Sequence, residues 1–319
     1  MGSDAAFMFP GQGSQFVGMG KEAAADYPEA RAVFDEVDDA LGFRLSDLCF
    51  RGDDDELRRT ENTQPAILAV SVALHRVLAA RGQHACCMAG HSLGEYSALV
   101  AAGSIDLTSA ARLVRARGQF MQEAVAEGEG AMAAILGMED DQVEALCVEA
   151  SQGQVVSAAN YNSPGQVVIA GAAAAVERAV ALAKERGARR AMLLRVSAPF
   201  HCALMEPAAA KLEVALADVA IADPQVPVIC NVDAVVLANA DQVRSALLRQ
   251  VTAPVRWVDN VSAMLGLGAE RLVEIGPGKV LAGLAKRAAR GTPAISVQGP
   301  EDVVGLIGAG QPDGSRRFI

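Results

Sequence analysis

Aromatic residues make up only 4% of this 319-residue chain, histidine occurs four times, and 28 Lys and Arg are outnumbered by 38 Asp and Glu for a net charge of −10. Few large rings among 51% hydrophobic residues, with 30 glycines and many alanines, suit closely packed α/β layers. The shortage of positive charge argues against a nucleic-acid or anionic-membrane binder. It leaves an acidic partner open, because docking depends on local charge. No apolar run reaches the roughly 18 residues of a membrane helix. The start Met1-Gly2-Ser3-Asp4 lacks a charged-then-apolar signal pattern, so a cytoplasmic location is expected. The six cysteines, Cys49, Cys86, Cys87, Cys147, Cys202 and Cys230, form no C-x-x-C pair and mostly sit in apolar runs. They read as buried thiols rather than disulfides or zinc ligands.

What is present is concentrated at Gly90-His91-Ser92-Leu93-Gly94, between apolar Ala85-Cys86-Cys87-Met88-Ala89 and helix-forming Glu95-Tyr96-Ser97-Ala98-Leu99-Val100. G-x-S-x-G between a strand and a helix fits a nucleophile elbow, in which a sharp, strained turn lifts the serine hydroxyl above the sheet. The flanking glycines are required because a side chain at either would strike the neighbouring strand or helix. Ser92 would stand at a helix N-terminus, where a free N–H such as that of Leu93 can stabilise an oxyanion. The alternative is a tight turn carrying an inert serine.

The rhythm of the remaining chain supplies a frame for that elbow. Residues 5–9 read as a short buried strand running into Pro10-Gly11-Gln12-Gly13-Ser14-Gln15, a loop rich in backbone donors. Apolar residues at helical spacing predict a buried helix over 65–81 and another over 109–125. Then the pattern changes: strand over 131–138, helix over 140–150, strands over 155–160 and 166–170, helix over 173–186, strand over 191–196. That βαββαβ order is the ferredoxin-like plan. The expectation is an α/β fold with a large, α/β-hydrolase-like domain built on a parallel sheet from residues 1–128 and 198–319. A small ferredoxin-like domain, 129–197, is inserted into it, with a ligand cleft between the two. Further strands are predicted at 226–231 and 271–275, and from about 292 the chain turns to Gly, Pro and charge with an end expected to fray.

A serine hydroxyl needs a base to become a nucleophile at neutral pH, most often histidine. His75 lies inside a helix, His84 in the polar turn Arg81-Gly82-Gln83-His84, and His91 points away from its neighbour Ser92. His201, where the chain re-enters the large domain, remains by elimination. Sequence nominates no acid to orient it: Asp218, Asp223, Asp233 and Asp259 lack distinguishing context, and a backbone carbonyl can hold Nδ1–H instead. Arg117 is the second sharp feature. On a helical projection it falls in the middle of the apolar face of Leu113, Val114, Phe120 and Met121, where a cation is costly without an anion. The anion can be a structural Asp or Glu or a substrate carboxylate, for which the planar fork is suited. Two basic clusters, Lys184, Arg186, Arg189 and Arg190, and Lys279, Lys286, Arg287 and Arg290, are solvated faces or a docking surface.

Phe9-Pro10-Gly11-Gln12-Gly13-Ser14-Gln15, the elbow with Glu95-Tyr96, Arg115-Ala116-Arg117-Gly118, Asn160-Tyr161-Asn162-Ser163-Pro164-Gly165-Gln166 and Glu274-Ile275-Gly276-Pro277-Gly278 occur in this order. Together they resemble the malonyl-CoA:acyl-carrier-protein transacylase family over about residues 5 to 290. The resemblance implies that Ser92 carries the acyl group, that His201 is base and acid, and that Arg117 grips the malonyl carboxylate. It also implies an oxyanion hole from the N–H groups of Gln12 and Leu93, and a main-chain carbonyl, matched to Gln250, that orients His201. No bound cofactor or metal is implied; the substrates are malonyl-CoA, a coenzyme A thioester, and phosphopantetheinylated acyl carrier protein, and a monomer is expected. The same residues would serve an acyltransferase supplying a polyketide synthase. A serine thioesterase and a non-catalytic carrier-binding module are further alternatives, the first disfavoured by Arg117 and the missing triad acid.

Overall fold

The computed structural model describes residues 4–194 and 196–309. Among them are nine strands: β1 (Ala5–Phe9), β2 (Cys87–Gly90), β3 (Gly130–Leu136), β4 (Val156–Ser163), β5 (Gln166–Ala172), β6 (Arg190–Leu193), β7 (Val228–Ile229), β8 (Arg271–Ile275) and β9 (Ala294–Val297). Five of these make an all-parallel sheet in the order β7-β2-β1-β8-β9. Strand β1 at its centre is buried on both faces. Ala5, Phe7 and Phe9 pack toward the helices Pro28–Leu41, Thr60–Ala79 and Leu107–Glu123, while Ala6 and Met8 pack toward Trp257–Gly266 and Val280–Ala288. A continuous apolar strand is what a parallel sheet covered by helices on both sides demands.

The other four strands form an antiparallel sheet in the order β4-β5-β3-β6, with the helices Asp140–Ser151 and Ala173–Glu185 as its crossovers. These helices cover one face through Val143, Leu146, Val176 and Ala179, which join Ala133, Ile135, Val167 and Ile169 in a separate core. The α/β class with a parallel sheet and a βαββαβ unit is thus the observed architecture. Main-chain bonds join the two sheets' surroundings: Tyr161 N–H donates to Val255 O at 2.9 Å and Val255 N–H to Ala159 O at 2.9 Å.

Two expectations are corrected. The helix anticipated at 65–81 spans Thr60–Ala79, with Pro65 inside it. Its first turn is polar in sequence yet buried, because Asn62 Nδ2 and Thr63 Oγ1 donate to Glu56 O and Leu57 O. The strand anticipated at 226–231 is only Val228–Ile229, since the chain doubles back, Cys230 N–H bonding Val235 O, and Asn231 is drawn under the elbow. The region after 292 is ordered into β9 and the helix Pro300–Ala309. The end expected to fray, 310–319, lies outside the described residues. No helix among the described residues is long and apolar enough to cross a membrane.

Candidate active site

Strand β2 ends at Gly90 and the helix Leu93–Ala101 begins two residues after His91, with Ser92 held at φ 51° and ψ −107°. A non-glycine residue there is strained, which is the signature of the elbow. The glycines show why nothing larger fits: a Cβ on Gly90 would lie 1.8 Å from Gly94 C, and one on Gly94 2.0 Å from Phe9 O. Gly94→Ala is therefore expected to cost roughly 1–3 kcal/mol of stability and to displace Ser92, read as a lowered denaturation midpoint together with lost activity. Gly11 abuts the elbow from the Pro10–Gln15 loop, where a Cβ would meet His91 O at 2.4 Å.

Ser92 Oγ stands 2.8 Å from His201 Nε2, and His201 Nδ1–H donates to Gln250 O at 2.8 Å. That second bond fixes the tautomer and leaves Nε2 free to accept the serine proton. His201 is only 3% exposed and sits at φ 62°. Burial, reinforced by the Arg117 charge, pushes its imidazole down to about 3, while the Gln250 carbonyl opposes the shift. The ring is neutral at pH 7 and able to act as a base. The remaining histidines are placed elsewhere. His91 Nε2 bonds Asn162 Oδ1 at 2.8 Å, His75 packs edge-on to Phe7 and Phe9, and His84 is exposed.

Arg117 points into the interior from the helix Leu107–Glu123 and is 2% exposed. Its Nη1 donates to Gln64 Oε1 at 2.8 Å, and its Nη2 donates to Gln250 Oε1 at 2.9 Å and Ser92 Oγ at 3.3 Å; Nε has no partner. No carboxylate lies within ion-pair distance of it among the described residues. Two neutral amides thus solvate a buried guanidinium without neutralising it, an arrangement that favours an incoming anion. Of the two partners left open by the sequence, a structural Asp or Glu is not found at ion-pair distance among the described residues.

These groups border one cavity of about 230 Å³, lined by Gln12, Ser92, Leu93, Arg117 and His201 from one side and Met132, Asn160, Asn162 and Val168 from the other. Neither Gln12 N–H nor Leu93 N–H has a protein partner among the described residues, as an oxyanion hole requires. The four aspartates do not approach His201; Asp233 pairs with Arg249 and Asp259 with Arg256 at the surface. Cys202, the thiol beside the histidine, is buried, donates to Pro199 O at 3.1 Å and is pushed up to about 11 by burial, so it is inert. No group of three or more His, Cys, Asp or Glu among the described residues is placed to hold a metal ion.

The chain matches the acyl transferase domain family over residues 6–318. It is 56% identical over 283 residues to the malonyl CoA-acyl carrier protein transacylase of Escherichia coli K12, covering 88% of this chain and 92% of that one. This chain belongs to the malonyl-CoA:acyl carrier protein transacylase family. An acyl carrier protein S-malonyltransferase structure from Vibrio cholerae superposes with a TM-score of 0.94 at 49% identity, covering 95% of this chain and all of that one. A malonyl-transacylase solved in complex with a type II polyketide acyl-carrier protein superposes at 0.93 with 48% identity, covering 96% of this chain and all of that one.

Several members of the site were not legible in sequence. Gln64, which binds Arg117, lies just before the 65–81 bounds that the apolar spacing predicts for its helix. Asn231 and Glu95 brace the elbow from beneath. Ser92 N–H donates to Asn231 Oδ1 at 2.7 Å, and Asn231 Nδ2 to Gly90 O at 2.7 Å. A single charged residue in the otherwise apolar Leu93–Ala101 was the one available signal for Glu95.

Proposed function

We propose that this chain moves the malonyl group from malonyl-CoA to the phosphopantetheine thiol of acyl carrier protein through a malonyl ester on Ser92. The observation that carries the reading is the buried guanidinium of Arg117, unpaired by any acid and 3.3 Å from Ser92 Oγ. An acyl group on that oxygen whose far end is a carboxylate three carbons along meets the fork directly.

In the first half-reaction His201 Nε2 takes the Ser92 proton as Oγ attacks the thioester carbonyl, and the oxyanion is received by Gln12 N–H and Leu93 N–H. The C–S bond then breaks, and the coenzyme A sulfur leaves with the proton returned by His201. In the second, His201 takes the proton of the carrier thiol, the thiol sulfur attacks the ester carbonyl, and the acyl C–Oγ bond breaks as His201 returns the proton to Ser92 Oγ. Gln250 O holds the imidazole in the required tautomer throughout, in the place a triad acid would occupy. The reacting and positioning groups are side chains and main-chain N–H and C=O groups of this chain, acting on one thioester, malonyl-CoA, and one thiol, that of the carrier.

We further read residues 1–128 with 198–319 as one domain and 129–197 as a second inserted into it, the antiparallel sheet supplying the far wall of the cavity. The chain acts as a monomer in the cytoplasm. Exposed Arg189, Arg190, Lys286 and Arg287 offer cations for an acidic carrier protein. A carrier from polyketide synthesis is the second reading, favoured by the neighbour solved with such a partner. Labelled malonyl-CoA tests the whole: stable label on the wild type, absent from Ser92→Ala and discharged by carrier thiol, is expected. Rapid release of free malonate without labelled protein would instead make the enzyme a thioesterase.

A further inference from the structure

The proposed reaction leaves a buried carboxyl at the site without a part. Glu95, in the first turn of the helix that follows Ser92, is fully buried. Its Oε2 accepts hydrogen bonds from Gln250 Nε2 at 2.7 Å and from the Asn231 N–H at 2.9 Å, while Oε1 has no partner. Each of these donors belongs to a residue that holds a reacting group. Gln250 carries Arg117 on its side-chain oxygen and His201 on its main-chain oxygen. Asn231 carries the N–H of Ser92.

We infer that Glu95 is a positioning residue for this reaction: one carboxyl oxygen sets the orientation of the Gln250 amide and of Asn231, and through them holds the Arg117 fork in register with the Ser92 nucleophile. This rests on reading Arg117 as the clamp for the substrate carboxylate.

The physical reason is the asymmetry of an amide. Gln250 presents its oxygen to the Arg117 guanidinium and its NH2 to Glu95 Oε2, with Ser92 O at 3.1 Å and Asn231 Oδ1 at 3.3 Å as longer alternatives. Rotated by half a turn, it would set NH2 against a cation and a carbonyl against a carboxyl oxygen, losing bonds at both ends. An oxygen that already receives two donors can only accept, so Glu95 forbids that rotation. Its charge is secondary. Burial pushes the carboxyl up to about 7, against the Asn231 and Gln250 bonds and the Arg117 charge. A proton, when bound, sits on the partnerless Oε1 and leaves Oε2 an acceptor. Because the carboxyl reaches Arg117 only through an intervening amide, it steadies the cation without occupying the edge the substrate needs.

The test compares kcat and KM for malonyl-CoA and acetyl-CoA in the wild type, Glu95→Ala, Glu95→Gln and Arg117→Ala. Glu95→Ala is expected to lower the ratio of malonyl to acetyl kcat/KM by about tenfold, mostly through KM for malonyl-CoA. Glu95→Gln, whose amide oxygen can take the place of Oε2, is expected to restore the ratio to within about threefold of wild type. A merely structural loss would lower both substrates alike and leave the ratio unmoved. If Glu95→Ala yields no folded protein, Glu95→Asp, which withdraws the oxygen by one methylene, is read in the same way. A wild-type ratio in Glu95→Ala or Glu95→Asp, or a Glu95→Gln ratio as low as that of Glu95→Ala, overturns the inference. If Arg117→Ala itself keeps the malonyl preference, the clamp reading fails instead.

Discussion

Replacing His201 with alanine is expected to lower kcat/KM for malonyl transfer by roughly a thousandfold or more, the scale of general-base catalysis when the nucleophile has no second base in reach. Ser92 Oγ has one imidazole at 2.8 Å, and the other ring near the elbow, His91, is engaged with Asn162. The pH dependence gives a second handle. With its pKa held near 3 by burial and by Arg117, His201 stays unprotonated well below the ordinary histidine range. The acid limb of kcat/KM should accordingly lie below pH 6.5. Stability moves in a defined direction as well. Below pH 6.5 the unfolded chain binds a proton at this histidine that the folded chain refuses, so the folded state loses ground as pH falls. The loss reaches about 5 kcal/mol below pH 3. Denaturant titrations between pH 7 and pH 4 should show a steeper decline for the wild type than for His201→Ala. Equal slopes would show that burial does not hold the His201 pKa down, and activity surviving in the variant would remove His201 from the mechanism.

Arg117→Ala should invert the order of acyl preference. The guanidinium is already solvated by Gln64 and Gln250, so what a malonyl carboxylate adds is the ionic, two-pronged contact that these neutral amides lack. Truncating one partner of a buried, hydrogen-bonded charge pair costs roughly 2–5 kcal/mol, or a factor of thirty to several thousand in kcat/KM for malonyl-CoA. Acetyl-CoA makes no such contact and in the wild type leaves the cation unpaired, so its transfer should hold steady or rise. Because both substrates are measured on the same folded molecules, the ratio is insensitive to how much stability the variant sacrifices. Arg117→Lys separates charge from geometry, since a point-charge ammonium lacks the fork. Retained malonyl preference in Arg117→Ala would show that selectivity resides elsewhere.

Local pattern was enough for the parts of the site whose chemistry is written in contiguous residues. The strand 271–275 and the βαββαβ order follow from periodicity alone. The elbow is announced by glycines that steric contact makes obligatory, and Arg117 by a lone cation at the centre of an apolar helical face. His201 followed from scarcity, since four histidines leave few choices. The misses share a cause. The helix start at 60–64 falls outside the apolar pattern because its Thr, Asn and Gln side chains are polar, yet all four are buried, Asn62 and Thr63 bonded to the segment just before them and Gln64 to Arg117. The strand at 226–231 stops early because Asn231 is needed beneath Ser92.

The residues alone determined which groups can react: an alcohol on a strained turn, a single usable imidazole and a cation with no local reason to be buried. Only the tertiary structure decided how they are joined. Gln64, Glu95, Asn231 and Gln250 come from separate segments, and their roles are hydrogen-bond directions across space, which no spacing along a chain encodes. Periodicity reports the face a residue occupies, because that depends on its neighbours in sequence. It is silent on what the residue meets there, because that depends on how distant segments fold together.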